Sequence, residues 1–147
     1  MVRFHPDPLF MSQTGETFFT IVGCMDGRVQ EPVAKFGREK FQTIFPDTIT
    51  EAGLVGILSK ETIDKAFLSL LRFKIADVSL GKHSSKGVIV FGHEDCAGNP
   101  VDEKTHKQNV LKSTEVIRLL THNSVPVIPV FVKRDGSGNW IVEELFK

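Results

Sequence analysis

The chain has 147 residues, of which 41% are hydrophobic and 24% are charged, as in an ordinary globular domain with its own hydrophobic core. Lysine and arginine together number 18, as do aspartate and glutamate, so no basic excess favours nucleic acid or a membrane surface as partner. No apolar run approaches the roughly 20 residues that cross a bilayer, and residues 1–13 lack the apolar segment of a signal peptide, so we expect a cytoplasmic protein.

The first part of the chain predicts two strands and a helix behind an extended arm. Residues 1–17 show no clear periodicity and are expected to form this arm. The aromatic and β-branched segment FFTIVG at 18–23 predicts a buried strand. The segment EPVAKFGREK at 31–40 carries proline near its start and predicts a short helix. FQTIF at 41–45 predicts a second strand that stops at the following proline, and 48–60 predicts a loop with a short helix.

Helical and strand patterns alternate in the remainder of the chain. Apolar residues recur at helical spacing from 61 to about 80, which predicts a helix whose apolar stripe lies in the core or in a dimer interface. VIVFG at 88–92 predicts a central parallel strand because its apolar run is continuous. Asp102 is a candidate N-cap of a helix that runs to about His122. VPVIPVFVK at 125–133 predicts a fourth strand, with two prolines that favour an edge position or an irregular start.

The end of the chain predicts a hairpin, because the turn-forming residues 134–139 lead into WIVEEL at 140–145. Strands that alternate with helices indicate a parallel sheet with helices on both faces. We therefore expect a single α/β domain over residues 1–147, with about four parallel strands at the centre of three layers and a C-terminal antiparallel hairpin strand.

Both cysteines of the chain lie just after predicted strands. Cys24 follows the first strand, and His93 and Cys96 follow the third as His-x-x-Cys. Sites in open α/β sheets form at the carboxyl ends of the strands, and neighbouring strands lie about 4.8 Å apart. A disulfide is possible, but metal binding or catalysis is favoured in a reducing compartment. These three side chains are predicted to bind Zn²⁺ and to leave its fourth position open.

Asp26 and Arg28 lie beside the first of these cysteines. Asp26 is close enough along the chain to be a fourth metal ligand in a closed state. It could instead pair with Arg28, because a carboxylate and a guanidinium form a strong bidentate contact. A carboxylate that leaves the metal for an arginine would open a position for water.

The spacing Cys-x-Asp-x-Arg at 24–28, followed by His-x-x-Cys at 93–96, resembles the β-class carbonic anhydrases. The segments GCMDGR, TITEAG and GHEDCAGNP resemble a group of short carbonic-anhydrase-like proteins within it. FPDTITEAG at 45–53 stands where the family usually has an Arg-Asn-x-x-Gly-like segment. The resemblance implies a parallel α/β sheet and a homodimer or higher homo-oligomer. It also implies the reversible hydration of carbon dioxide to bicarbonate by a metal-bound hydroxide.

The resemblance also assigns roles to individual residues. It implies that Zn²⁺ is bound by Cys24, His93 and Cys96. It implies that Asp26 and Arg28 are the catalytic pair that opens and closes the fourth position. A proton that leaves the site could pass through His83 or His106, neither of which the sequence places.

Two other functions remain open, and a third is disfavoured. A related zinc hydrolase could act on carbonyl sulfide or carbon disulfide. A non-catalytic zinc protein would use Asp26 as a permanent fourth ligand and close the site. A cysteine-dependent phosphatase is disfavoured because the loop from Cys24 to Arg28 is too short to wrap a phosphate.

Several further polar residues have less specific surroundings. Asp95 and Asn99 are expected to cap or turn their loop. Residues that follow the predicted second strand could line the pocket or lie in a solvated loop, namely Asp47, Thr50 and Glu51. Surface positions are expected for three histidines, His5, His83 and His122.

Overall fold

A computed structural model describes residues 16–146. Its strands are β1 (Phe18–Cys24), β2 (Phe45–Glu51), β3 (Val88–His93), β4 (Val127–Arg134) and β5 (Trp140–Glu144). They form one sheet in the order β2-β1-β3-β4-β5. β1 to β4 are parallel, and β5 pairs antiparallel with β4. The predicted α/β fold with its C-terminal hairpin is confirmed, and residues 1–15 of the predicted arm lie outside the described part.

The helices are α1 (Gln30–Phe41), α2 (Leu54–Leu58), α3 (Lys65–Arg72) and α4 (Glu103–Leu120), with a π-helix (Phe73–Leu80) that continues α3. They cover both faces of the sheet, as predicted. On one face, Val33 of α1 packs with Phe19 and Phe91. On the other, α2, the π-helix and α4 pack against the sheet through Leu54, Ile75 and Val110. Because both faces are covered, every residue of β1 is buried, and this explains why its sequence is apolar apart from Thr20.

Asp102 caps α4 as predicted. Its Oδ1 accepts a hydrogen bond from the backbone N–H of Thr105 at 2.8 Å, which satisfies one of the free donors at the helix start. Within residues 16–146, no helix combines the length and the apolar character that a membrane crossing requires.

The prediction of the second strand was wrong. Residue 41 ends α1, and β2 begins at Phe45 and continues through Pro46 to Glu51. Among the described residues β2 pairs only with β1, so it is an edge strand. An edge strand tolerates proline because the missing N–H belongs to the unpaired side or to the strand start. The proline that was expected to end this strand therefore lies within it.

Two further predictions were corrected. Of the two alternatives for β4, an edge position or an irregular start, the edge position is wrong, because β4 lies between β3 and β5. The carbonyl of Pro129 accepts a hydrogen bond from Leu145, one residue beyond the end of β5, so its proline ring lies where pairing with β5 stops. The helix predicted from residue 61 begins only at Lys65, after the N-cap Asp64, and changes to π-helical pairing at Phe73.

Candidate metal centre

The topology brings the ends of β1 and β3 together. The two strands are parallel neighbours, with Thr20 opposite Val88 and Val22 opposite Val90. Cys24 is the last residue of β1 and His93 the last residue of β3. Cys96 follows in the loop after β3. The carboxyl ends of two adjacent strands therefore supply all three side chains.

Cys24, His93 and Cys96 form one buried cluster that could hold a metal ion. The two sulfurs are not bonded to each other and lie 3.7 Å apart. The ligand atoms of the three residues all lie within 4.8 Å of one another. Two thiolates on a tetrahedral zinc ion are separated by about 3.8 Å, given Zn–S distances of about 2.3 Å. The separation of the sulfurs therefore fits a shared zinc ion.

The imidazole of His93 is oriented for metal binding. Its Nδ1 donates a hydrogen bond to the carbonyl oxygen of Glu94 at 2.8 Å, which leaves a lone pair on Nε2. This Nε2 is buried and has no hydrogen-bond partner among residues 16–146. Metal-bound histidines usually donate their other ring N–H to an oxygen in this way, and buried polar atoms rarely lack a partner. A cation between the sulfurs and Nε2 would satisfy this atom.

The three side chains also perturb one another electrostatically. Burial alone would raise the pKa of Cys24, but contacts with His93 and with the backbone N–H of Gly53 together lower this pKa to about 7. Burial and the adjacent charge of Cys24 raise the pKa of Cys96. Two sulfurs at this distance cannot both ionise easily without a cation, so a bound cation would stabilise the second thiolate.

Close contact between two backbone segments fixes Cys24. The N–H of Gly53 donates to the Cys24 sulfur at 3.4 Å. Gly53 has a left-handed φ of +60°, and a Cβ at this position would overlap the carbonyl of Gly98. Glycine adopts this conformation without strain. The loop after β2 and the loop that carries Cys96 are thus packed backbone to backbone beside the sulfurs.

Asp26 is paired with Arg28 beside the cluster. Arg28 Nη2 lies 2.7 Å from Asp26 Oδ2, and Arg28 Nε lies 3.0 Å from Asp26 Oδ1. These hydrogen bonds lower the pKa of Asp26 to about 2. The same Oδ2 is 3.9 Å from Nε2 of His93. Arg28 therefore holds the carboxylate of Asp26 in a position next to the three-ligand cluster.

Sequence reasoning missed four residues around this pair. Gln30 donates from Nε2 to the carbonyl oxygens of Cys24 and Asp26, at 2.9 and 2.7 Å, and thereby fixes the turn after β1. The other three, which contact Arg28 or its partners, are Asp95, Arg134 and Trp140. Asp95 was expected only to shape its loop, and no local sequence signal marks the other two.

The histidines considered for proton transfer lie in different places. The rings of His106 and His93 have centroids 6.4 Å apart, but His106 is buried, and burial lowers its pKa to about 4. His83 is half-buried rather than on the surface, with Nδ1 2.8 Å from a carboxylate oxygen of Asp47. Asp47 lies four residues before the end of β2, about 13 Å along the strand from the site.

The other polar residues considered in the sequence lie in different surroundings. Glu51 is opposite Cys24 in the register of β1 and β2, while Thr50 lies within β2. Asn99 is buried and donates to Oδ1 of Asn109 at 3.0 Å. His122 is exposed as expected, and His5 lies outside the described residues.

Comparison with known proteins covers nearly the whole chain. A sequence model of the family described as "Putative carbonic anhydrase" matches residues 14–145. The match spans every residue of the cluster and of its surroundings. No curated protein matches the chain.

Proposed function

The chain belongs to the carbonic-anhydrase-like family that matches residues 14–145, and on this premise we propose that it is a β-class, zinc-dependent carbonic anhydrase. In the proposed reaction, carbon dioxide and water are converted reversibly to bicarbonate and a proton. The proton that leaves water goes to solvent.

The observation that carries this proposal is the number of ligands that converge. Three ligand atoms, from Cys24, His93 and Cys96, lie within 4.8 Å of one another. The carboxylate of Asp26 is adjacent but is bound by Arg28. Three protein ligands with an open fourth position are typical of catalytic zinc sites, whereas four ligands are typical of structural ones.

The donor set supports zinc as the metal, because two thiolates and an imidazole are ligands that it prefers. When bound, zinc lowers the pKa of a coordinated water to about 7 and supplies a nucleophile at neutral pH. Nδ1 of His93 remains bonded to the carbonyl of Glu94, which fixes the tautomer.

Asp26 and Arg28 have separate tasks in this proposal. The carboxylate of Asp26 accepts a hydrogen bond from the nucleophile and orients it toward the carbon of carbon dioxide. Arg28 keeps that carboxylate ionised, consistent with the lowered pKa of Asp26, and holds it away from the ligand cluster.

Metal analysis combined with a stopped-flow hydration assay tests the proposal. We expect about one zinc ion per chain, because the cluster supplies one set of ligands. We expect hydration of carbon dioxide between about pH 6.5 and about pH 9, where a zinc-bound water ionises. Zinc binding without hydration at any pH in this range would contradict the proposed activity.

The three alternatives give different results in these measurements. A closed site with Asp26 as fourth ligand predicts bound zinc and no hydration in the wild type. A hydrolase of carbonyl sulfide or carbon disulfide predicts turnover of those molecules but not of carbon dioxide. A cysteine-dependent enzyme predicts no metal at all.

The homodimer implied by the family resemblance stays a prediction. Light scattering coupled to size-exclusion chromatography would measure the mass against the 16.4 kDa of one chain.

A further inference from the structure

The two residues between the metal-ligand candidates His93 and Cys96 are both held by an arginine from β4. Arg134 Nη1 lies 3.2 Å from Glu94 Oε2, and its backbone N–H donates to the same oxygen at 3.3 Å. Arg134 Nη2 lies 3.5 Å from Asp95 Oδ2. The ligand loop is therefore tied to the strand that leads into the C-terminal hairpin.

Asp95 is shared between two arginines. Its Oδ2 lies 3.1 Å from Arg28 Nη1, and its carbonyl oxygen accepts from Arg28 Nη2 at 3.0 Å. Arg28 in turn binds Asp26. Charges of alternating sign thus form a continuous row, which we call the charge row, in the order Glu94, Arg134, Asp95, Arg28 and Asp26.

Trp140 fixes the two arginines relative to each other. The guanidinium carbon of Arg134 lies 4.3 Å from the centre of its ring, and that of Arg28 lies 5.2 Å from the ring. Planar guanidinium groups stack on aromatic faces in this way. The ring restricts both guanidinium groups, so Arg28 cannot move far without losing this contact.

The order of charges makes Asp95 a competitor of Asp26. Both carboxylates bind the guanidinium of Arg28, and Asp95 is the more exposed of the two, with side-chain exposures of 63% and 18%. Arg134 places a second cation beside Asp95. While that cation is present, Asp95 does not depend on Arg28 alone, and Arg28 can form its two-nitrogen contact with Asp26.

We propose that Arg134 is a positioning residue: by sharing the charge of Asp95, it leaves Arg28 to bind Asp26 and so keeps Asp26 away from the metal. This inference rests on the open fourth position of the proposed function. Without Arg134, Arg28 is drawn toward Asp95, and Asp26 is released toward the cluster.

Azide binding to the cobalt-loaded protein tests the inference, because azide needs the open position but no turnover. Its affinity is read from the visible spectrum of the cobalt ion. For Arg134→Gln we expect the Kd of azide to rise about three- to tenfold, which lies in the lower part of the range for coupled neighbouring residues. The effect should be larger at low ionic strength, since these charges are partly exposed.

A second substitution separates charge sharing from a general loss of structure. Asp95→Asn removes the competing charge, and asparagine tolerates the left-handed φ of 58° at this position. In the Arg134→Gln background it should restore the azide Kd to within about twofold of the wild type, because the two residues act through one contact. If Arg134 had a merely structural role, the additional substitution Asp95→Asn would not restore azide binding.

Two more variants complete the design. Lys133→Gln is the matched control: Lys133 precedes Arg134 on β4 and pairs with Glu143, so azide binding should not change. Arg134→Lys retains a cation and should keep most of the azide affinity. A crystal structure of cobalt-loaded Arg134→Gln should show Asp26 separated from Arg28.

The outcomes distinguish this inference from the proposed function. An azide Kd for Arg134→Gln equal to that of Lys133→Gln, or no restoration by Asp95→Asn, overturns the role of Arg134. If the wild type does not hydrate carbon dioxide, but Arg134→Gln still weakens azide binding and Asp95→Asn still restores it, only the proposed reaction is overturned. Failure of azide to bind the wild type overturns the open position and, with it, both.

Discussion

Arg28 binds Asp26 through two nitrogens, with Nη2 2.7 Å from Oδ2 and Nε 3.0 Å from Oδ1. Planar bidentate contacts of this kind are directional and depend on the guanidinium fork. The pair lies at the border of the cluster, with Oδ2 3.9 Å from Nε2 of His93. A small movement of one side chain therefore decides whether the cluster has three ligands or four.

Substitution of Arg28 should close the site without loss of metal. In Arg28→Gln the carboxylate of Asp26 loses its partner and binds the metal, so hydration at neutral pH should fall at least about tenfold, or about 1.4 kcal/mol in the barrier. Zinc content should stay near that of the wild type. Arg38→Gln, which removes contacts with Glu31 and with the carbonyl oxygen of Ile44 on the surface, is the control. Unchanged hydration in Arg28→Gln would show that Asp26 does not compete for the metal.

Removal of a sulfur ligand should abolish most of the stabilisation that zinc gives to the folded chain. For the wild type, zinc at about 100 times its Kd should add about 2.7 kcal/mol to the free energy of unfolding, because only the folded chain assembles the ligands. Cys96→Ser should lose most of this gain. Thermal unfolding with zinc and with a chelator measures the difference. An equal response of wild type and variant to the chelator would exclude Cys96 as a ligand.

Gly53→Ala should damage both the fold and the site. The left-handed φ of +60° costs a non-glycine residue about 1–2 kcal/mol, and the new methyl group overlaps the carbonyl of Gly98. The shift of the backbone N–H away from Cys24 should also weaken zinc binding. Gly136→Ala is a matched control because its Cβ would meet nothing within 4 Å. Urea unfolding and zinc competition titrations give the two readouts, and equal results for both variants would refute the close-contact argument.

The stability contribution of Glu143 should depend on pH. Hydrogen bonds from Lys133, with those of Lys107, lower the pKa of Glu143 below its unfolded value. A lowered folded pKa means that the contribution is complete above the unfolded pKa and is lost as the pH falls through the folded one. Glu143→Gln should thus destabilise the chain by about 0.5 kcal/mol at neutral pH, the size of an exposed ion pair.

The measurement for Glu143 is urea unfolding of the metal-free protein at neutral and at acidic pH. The difference from wild type should disappear below the lowered pKa, and high salt should reduce it at neutral pH. A constant difference at every pH would mean that packing, rather than charge, is responsible.

The ligand candidates could be found in the sequence because their signals are local. Cys24 and His93 each end a mostly apolar strand, and Cys96 follows His93 at fixed spacing. The parallel pairing of β1 with β3 then brings them together. Asp26 and Arg28 are two residues apart, so their pairing also follows from short-range geometry.

The surroundings of the site could not be found in this way. Arg134 and Trp140 reach Arg28 only because β4 lies beside β3 and β5 folds back along β4. In the sequence, Arg134 ends one strand and Trp140 begins another, with only turn residues between them. The same limitation affected β2, whose edge position, and not its composition, decides whether Pro46 is tolerated.

Trp140 is the only tryptophan in the chain, and its ring stands edge-on to the ring of His93, with 6.4 Å between the centroids. The tryptophan fluorescence of the protein therefore comes from a ring that lies next to the ligand candidate His93. Quenching or a spectral shift on addition of a metal would report occupancy of the cluster in real time, without an added dye. A stopped-flow fluorimeter could thus follow metal uptake and release independently of any chemical turnover.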